Sequence, residues 1–187
     1  MFIIITASPN TEGLTADCGK AAIDGIASAG GEAEIIDISA GKLEPCRICG
    51  NGWGICRDST NCVIEDMLPH IQQKIRDAEA VILITPVYFG QPSERMKYFF
   101  DRFRRCEAFN NPGGSAASGK QFDLIAAAGG SGNGTATCLA EMVQWCRPVG
   151  AIPQERIGIT RFNRDVVLPV IQDAAARLVR GEYFKRV

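Results

Sequence analysis

The chain reads as an α/β protein: a doubly wound, five-stranded parallel sheet of order 2-1-3-4-5 with helices on both faces. Three observations predict this. Apolar, β-branched runs alternate with helix-patterned segments five times, as expected of βα units around a parallel sheet. Val81-Ile82-Leu83-Ile84 is continuously apolar, which suits a strand buried on both faces. The length, 187 residues, is enough for one well-buried domain and short for two. A single domain over 1–187 is expected, with a cysteine-rich loop inserted at about 44–63.

The elements follow in order. Met1 to Thr6 is an apolar first strand, and Ala7 to Gly13 is a polar turn. Leu14, Cys18, Ala21, Ala22, Gly25, Ile26 and Ala29 mark one face of a helix that Gly30-Gly31 ends. Residues 33–38 form the second strand, and 39–62 are irregular. Met67, Leu68, Ile71, Ile75 and Ala78 mark the second helix. Strand three, Val81–Ile84, leads into a loop from Thr85 to Pro92. Ser93 caps a helix that buries Met96, Phe99, Phe100 and Phe103. Residues 109–119 form a flexible excursion. Phe122–Ala128 is strand four, followed by Gly129–Gly134 and a helix to about Val149. A short fifth strand, Arg156–Thr160, precedes a final amphipathic helix, Asp165–Arg180.

In this architecture ligands lie beyond the C-terminal ends of the strands, at the switch between strands 1 and 3. The loops after strands 1, 3 and 4 are the most unusual pieces of the chain, and three such loops at one sheet edge predict one large ligand. The first has the order strand, polar loop, helix N-terminus, where backbone amides and the helix dipole attract a phosphate. It carries no Lys or Arg; its donors are amides and the hydroxyls of Ser8, Thr11 and Thr15. That suits a phosphate monoester better than a nucleoside triphosphate, which usually needs a Lys and a metal. The second loop combines prolines, two aromatics and a glycine. Pro86 fixes the end of the strand, Gly90 permits close approach to a flat ligand, and Tyr88 or Phe89 shields a ring face. The alternative is that these aromatics plug the core. The third loop leaves room for a bulky ring, with Ser131 and Asn133 as polar contacts.

Ser8-Pro9-Asn10-x-x-Gly13-x-Thr15, Thr85-Pro86-Val87-Tyr88-Phe89-Gly90, and Lys97 with Asp101-Arg102 together resemble the NADPH-dependent FMN reductase family of flavodoxin-like proteins. The resemblance covers roughly residues 1–150, and the cysteine segment brings it nearest to the iron–sulfur flavoprotein branch. It implies FMN bound non-covalently. Ser8, Asn10, Gly13, Leu14 and Thr15 would hold its phosphate. Pro86, Val87, Tyr88, Phe89 and Gly90 would line the ring, together with Gly130, Ser131 and Asn133. The chemistry would belong to flavin N5, with NADPH or NADH as reductant and no catalytic side chain. Electrons would pass to a small redox acceptor, an electron-transfer protein or an iron–sulfur centre. The resemblance also points to a homodimer or homotetramer.

Cys46, Cys49, Cys56 and Cys62 have the spacing C-x2-C-x6-C-x5-C in a glycine-rich segment. Four nearby thiolates suit a [4Fe–4S] cluster or a structural zinc, with zinc ranked second. The iron–sulfur flavoproteins resemble this with a tighter C-x2-C-x2-C-x5-C, so Gly50–Ile55 stands in place of a two-residue gap, a four-residue insertion. A metal-free loop folding over the site or a partner subunit is the open alternative. Cys18, Cys106, Cys138 and Cys146 read as small core residues. Trp53 either shields a cluster, covers flavin from a neighbouring subunit, or anchors the loop.

Formal net charge is −1 with no basic patch, which argues against nucleic acid. No apolar run reaches membrane-spanning length, no signal-peptide pattern is present, and a cytoplasmic location is expected. Eight cysteines then read as thiols, metal ligands or redox groups rather than a disulfide framework. His70, the single histidine, reads as a surface or packing residue. Glu65-Asp66 reads as a structural helix start. Gly114–Gln121 nearly matches a nucleotide-binding P-loop, but Gln121 replaces the magnesium-binding hydroxyl and the segment precedes a strand. Two other functions compete: a flavodoxin-like electron carrier without NAD(P)H activity, and a zinc-stabilised binding module without flavin.

Overall fold

The computed structural model describes residues 1–108 and 114–183. Its strands are β1 (Phe2–Thr6), β2 (Ala33–Asp37), β3 (Ala80–Tyr88), β4 (Gln91–Pro92), β5 (Gln121–Ala128) and β6 (Ile152–Thr160). They pair in the order β2-β1-β3-β5-β6, all parallel, with β4 antiparallel to β3. Leaving aside the two-residue β4, this is the order the sequence predicts.

Side-chain alternation explains the two cores. Ile3, Ile5, Val81, Leu83, Phe122 and Leu124 pack on one face with α3 (Leu68–Asp77), α4 (Glu94–Glu107) and α5 (Thr135–Val149). Phe2, Ile4, Ile82, Ile84, Ile125 and Ile157 pack on the other with α1 (Leu14–Ser28) and α6 (Arg164–Arg180), while the short α2 (Cys49–Gly52) lies between β2 and α3 in the chain and buries no residue. Neighbouring strand residues point to opposite faces, so strands apolar throughout must be covered twice. Helices α1 and α6 cross in close contact at Gly25, where an added Cβ would lie 2.1 Å from the Gln172 carbonyl oxygen.

Expected elements recur with three changes. The segment Thr85–Pro92 is not a loop: β3 continues to Tyr88, and Pro86 stands in register with Ala127 instead of ending the strand. The chain turns at Phe89 and Gly90, both left-handed, and returns as β4. Strand β6 begins at Ile152, four residues earlier than expected. Helix α3 begins at Leu68, so Asp66 precedes it, accepting from the Leu68 N–H at 3.1 Å. Ser93 caps α4 as expected, accepting from the Met96 N–H. Of the expected excursion, 109–113 lie outside the described residues, and the rest is a turn joined to α5 by Gly119 N–H on Gly150 O at 2.9 Å. Lys120 stands at the entry to β5, as the sequence suggests, and donates to the Ala78 carbonyl.

Candidate functional site

The loops after β1, β3 and β5 meet at the C-terminal end of the sheet. Two bonds join them. Ser93 Oγ donates to the Ala7 carbonyl at 2.9 Å, linking the end of β1 to the segment after β4. Thr137 Oγ1 donates to the Gly90 carbonyl at 2.8 Å, linking α5 to the β3–β4 turn. Gly134 explains how close this second junction is: a Cβ there would lie 2.6 Å from Gly90 Cα, and its φ is +84°. Only glycine meets both demands.

Beyond β1, Ser8, Asn10 and Thr15 line a cleft with Thr6, Thr11, Ala16, Gly19, Ile35 and Asp37. Internal bonds shape the loop: Asn10 N–H donates to Ser8 Oγ at 3.2 Å, and Glu12 N–H to Asn10 Oδ1 at 3.0 Å. Gly13 is the extended N-cap of α1, and no side chain caps that helix. Its first-turn amides therefore keep their capacity for an anion. The Leu14 side chain goes elsewhere, against the α1–α6 core. Only its backbone is at the helix start.

Around the other two loops the surface is open. Tyr88 is partly exposed and Phe89 wholly so. Val87 packs against the core. Ser131 and Asn133 are exposed, and Asn133 N–H donates to Ser131 Oγ at 3.3 Å. A Cβ built on Gly129 or Gly130 meets nothing within 4 Å, which is space a flat ring can occupy. Phe162, 71% exposed, borders the same end through Gly132. The sequence reading missed Thr6, Asp37 and Thr137, because their roles depend on which loops the fold brings together.

The four loop cysteines come together despite the longer spacing. Cys46, Cys49, Cys56 and Cys62 line one cavity with Arg102, Arg105 and Cys106. The loop turns at Ile48, Gly50 and Gly52, all at positive φ. Cys106 corrects one expectation: it is buried but also borders this cavity. Burial, and then the neighbouring Cys62 and Cys56, push its thiol up to about 12. Cys18, Cys138 and Cys146 are buried core thiols as expected. His70 is exposed.

Helix α4 anchors this segment through arginines on one face. Arg95 donates to Leu43 O at 3.0 Å, Arg102 to Glu44 O at 3.1 Å, and Arg105 to Gly52 O at 2.5 Å. Their spacing of seven and three residues is the sequence signal that could have found them. Arg105 also stacks on the Trp53 ring at 4.8 Å. Arg102 is 1% exposed and makes a two-pronged ion pair with Asp66. Burial alone would push the Asp66 carboxyl up. Arg102 and the Glu44 and Leu68 amides outweigh it and hold the carboxyl below its ordinary value. Asp66 is thus the ion-pair partner of α4 as well as a helix start.

Among the described residues, no three Cys, His, Asp or Glu side chains are grouped to hold one metal ion. A zinc site needs its sulfurs about 2.3 Å from a common point. Four thiols lining one cavity are the donor set that a [4Fe–4S] cluster uses.

The NADPH-dependent FMN reductase family profile matches residues 1–160, and the chain belongs to that family. That family is one of FMN reductases, and the fold is flavodoxin-like. An iron–sulfur flavoprotein of Methanocaldococcus jannaschii is 34% identical over 119 residues, 62% of this chain and 60% of the relative. One from Methanosarcina thermophila is 35% identical over 118 residues, 61% and 55% of the two chains. The matched part thus spans little more than half of these relatives' length. In structure, the NAD(P)H:quinone oxidoreductase from Methanothermobacter marburgensis superposes with a TM-score of 0.74 at 18% identity, covering 99% of this chain and 98% of that one. Among the described residues no helix is long and apolar enough to cross a membrane.

Proposed function

We propose that this protein is an NAD(P)H-dependent FMN oxidoreductase that passes electrons onward through an iron–sulfur centre held by Cys46, Cys49, Cys56 and Cys62. The observation that carries the reading is the joining of the three loops at one sheet end by Ser93–Ala7 and Thr137–Gly90. Ser8, Asn10, Gly13 and Thr15 hold the phosphate, with the backbone of Leu14 at the helix start. Pro86 to Gly90, Gly130, Ser131 and Asn133 border the ring. Bound FMN supplies a two-electron acceptor for the nicotinamide and a one-electron donor for the next carrier. The protein's own part is to hold the phosphate on uncapped amides and to leave the ring's edge accessible to a visiting dinucleotide. No general acid or base is required of the chain.

The cysteine set supports the finer part of the reading. Its thiols share one cavity, and relatives of the chain bear the name iron–sulfur flavoprotein. A homodimer or homotetramer in the cytoplasm completes the picture, with the exposed Tyr88, Phe89 and Phe162 as the surface a second subunit would cover.

The test is an ultraviolet–visible spectrum of protein purified without oxygen, with iron, sulfide and zinc assayed on the same sample. NADH and NADPH oxidation are then followed separately. Flavin bands, iron with sulfide, and nicotinamide-dependent bleaching are expected. Flavin without iron would remove the cluster and keep the FMN reductase. Flavin that neither nucleotide reduces would leave a simple electron carrier.

A further inference from the structure

Arg102 is a long cation in an unusual place. Its residue is 1% exposed, and burying an unpaired charge is costly. Asp66, whose side chain is 2% exposed, pairs with it. Both Asp66 oxygens already accept backbone bonds, from Glu44 N–H at 3.0 Å and Leu68 N–H at 3.1 Å. The terminal guanidinium nitrogens are also committed. Nη1 donates to Glu44 O and Asp66; Nη2 donates to Asp66 at 3.1 Å and to Ile64 O at 3.4 Å. What remains is Nε, buried and without a hydrogen-bond partner.

An orphaned buried donor calls for an explanation. Here the surroundings supply one. Arg102 borders the cavity lined by the four loop cysteines, and the Cys62 thiol is close enough to the guanidinium to favour its charge. Two further cations border that cavity: Arg47, on the cysteine loop itself, and Arg105, which gives a terminal nitrogen to Gly52 O and lies on Trp53. A guanidinium cannot lose its proton in this range, so Arg102 is a fixed positive charge.

We propose that Arg102 is a positioning and tuning residue for the iron–sulfur centre, its Nε–H donating to a cluster or cysteinyl sulfur and its charge favouring the reduced cluster. The inference rests on the cluster reading given under Proposed function. Hydrogen bonds to sulfur and nearby charge are among the levers that set such potentials. Adding one electron makes the cluster more negative, so a buried cation beside it stabilises the product of reduction more than the reactant. Asp66 holds the cation in position and partly cancels its charge. The same ion pair bonds the chain on either side of the cysteines, at Glu44 and Ile64, which couples loop folding to the electrostatics of the site.

The test uses the whole protein purified without oxygen and reduced with dithionite. Pulsed electron paramagnetic resonance on protein labelled with [15N]arginine should reveal a nitrogen coupled to the reduced cluster. Arg102→Lys should lose that coupling and shift the cluster midpoint potential downward, with the flavin potential unchanged. Asp66→Asn, which removes the opposing charge, should shift it upward. A merely structural Arg102 would not move the potential in opposite directions in the two variants. Iron and sulfide in the wild type with no arginine coupling, or with potentials that both variants leave unchanged, overturns this role for Arg102 and leaves the cluster standing. A wild type without iron and sulfide overturns both. If Arg102→Lys fails to fold, Arg47→Lys and Arg105→Lys, which should both keep the coupling, and Asp66→Asn decide the matter.

Discussion

Ser93 Oγ bonds the carbonyl of Ala7 across 86 residues of sequence at 2.9 Å, while the same oxygen caps α4 by accepting from Met96 N–H. One buried hydroxyl thereby ties the end of β1 to the start of α4. Ser93→Ala leaves the Ala7 carbonyl without that donor and removes the cap. The expected loss of stability is about 2 kcal/mol, from a cap worth ~1 and an unsatisfied buried acceptor worth 1–3. Urea denaturation measures it directly, and a change below about 0.5 kcal/mol would show that the junction forms without this bond.

In the cleft beyond β1, the proposed phosphate site, Thr15 is buried and lines the space. Thr15→Val removes a hydroxyl and keeps the shape. FMN affinity should fall by about 1–3 kcal/mol, the cost of one lost bond to a charged group. Fluorescence titration of the apoprotein reads this out. Unchanged affinity would count against the phosphate assignment.

Gly130 and Gly134 separate the proposed ring site from the scaffold. Gly130→Ala meets nothing within 4 Å, so thermal stability should barely move while FMN binding weakens if the ring fills that space. Gly134→Ala drives a Cβ into the Gly90 backbone at a left-handed position and should lower both. Equal FMN affinity in Gly130→Ala and wild type would place the ring elsewhere.

Cys56→Ser tests the cysteine set. Iron and sulfide should fall to a small fraction of the wild-type content, while the flavin spectrum stays. Full retention of metal would mean that another residue, with Cys106 nearest at hand, completes the ligand set.

Asp123 predicts a pH dependence of stability. Burial pushes its carboxyl up from 3.8 to about 7, partly offset by the Glu155 N–H. Its folded-state pKa is therefore above its unfolded one, and the native state binds the proton more tightly. That contribution is complete below about pH 4 and is lost as pH rises through 7. Between pH 5 and 8 the loss should be on the order of 2 kcal/mol. Asp123→Asn should flatten this part of the profile in urea denaturation. An equally steep profile in the variant would assign the effect to other groups.

Much of this molecule was legible in its sequence for a simple reason. Strand runs that are apolar throughout, such as Val81–Ile84, allow only a doubly covered sheet, and the pattern of alternating strands and helices then dictates the order. The polar turn from Ser8 to Thr15 announced its place at the switch point in the same local way. Less was legible after β3. Pro86 and Gly90 look like breakers in isolation, yet Pro86 sits in the sheet and Gly90 turns a hairpin. Tertiary pairing with β5 outweighed local propensity there.

The chain by itself determined the fold, the polar loop after β1 and the presence of four cysteines in one loop, because each depends on residues close in sequence. Only the tertiary structure decided whether C-x2-C-x6-C-x5-C could share a cavity, and which distant cations face it. Those answers depend on α4, some forty residues further on, whose Arg95, Arg102 and Arg105 hold the loop by its carbonyls. Spacing sets how far two sulfurs can be apart; where they come to rest is set by the packing energy of a distant helix.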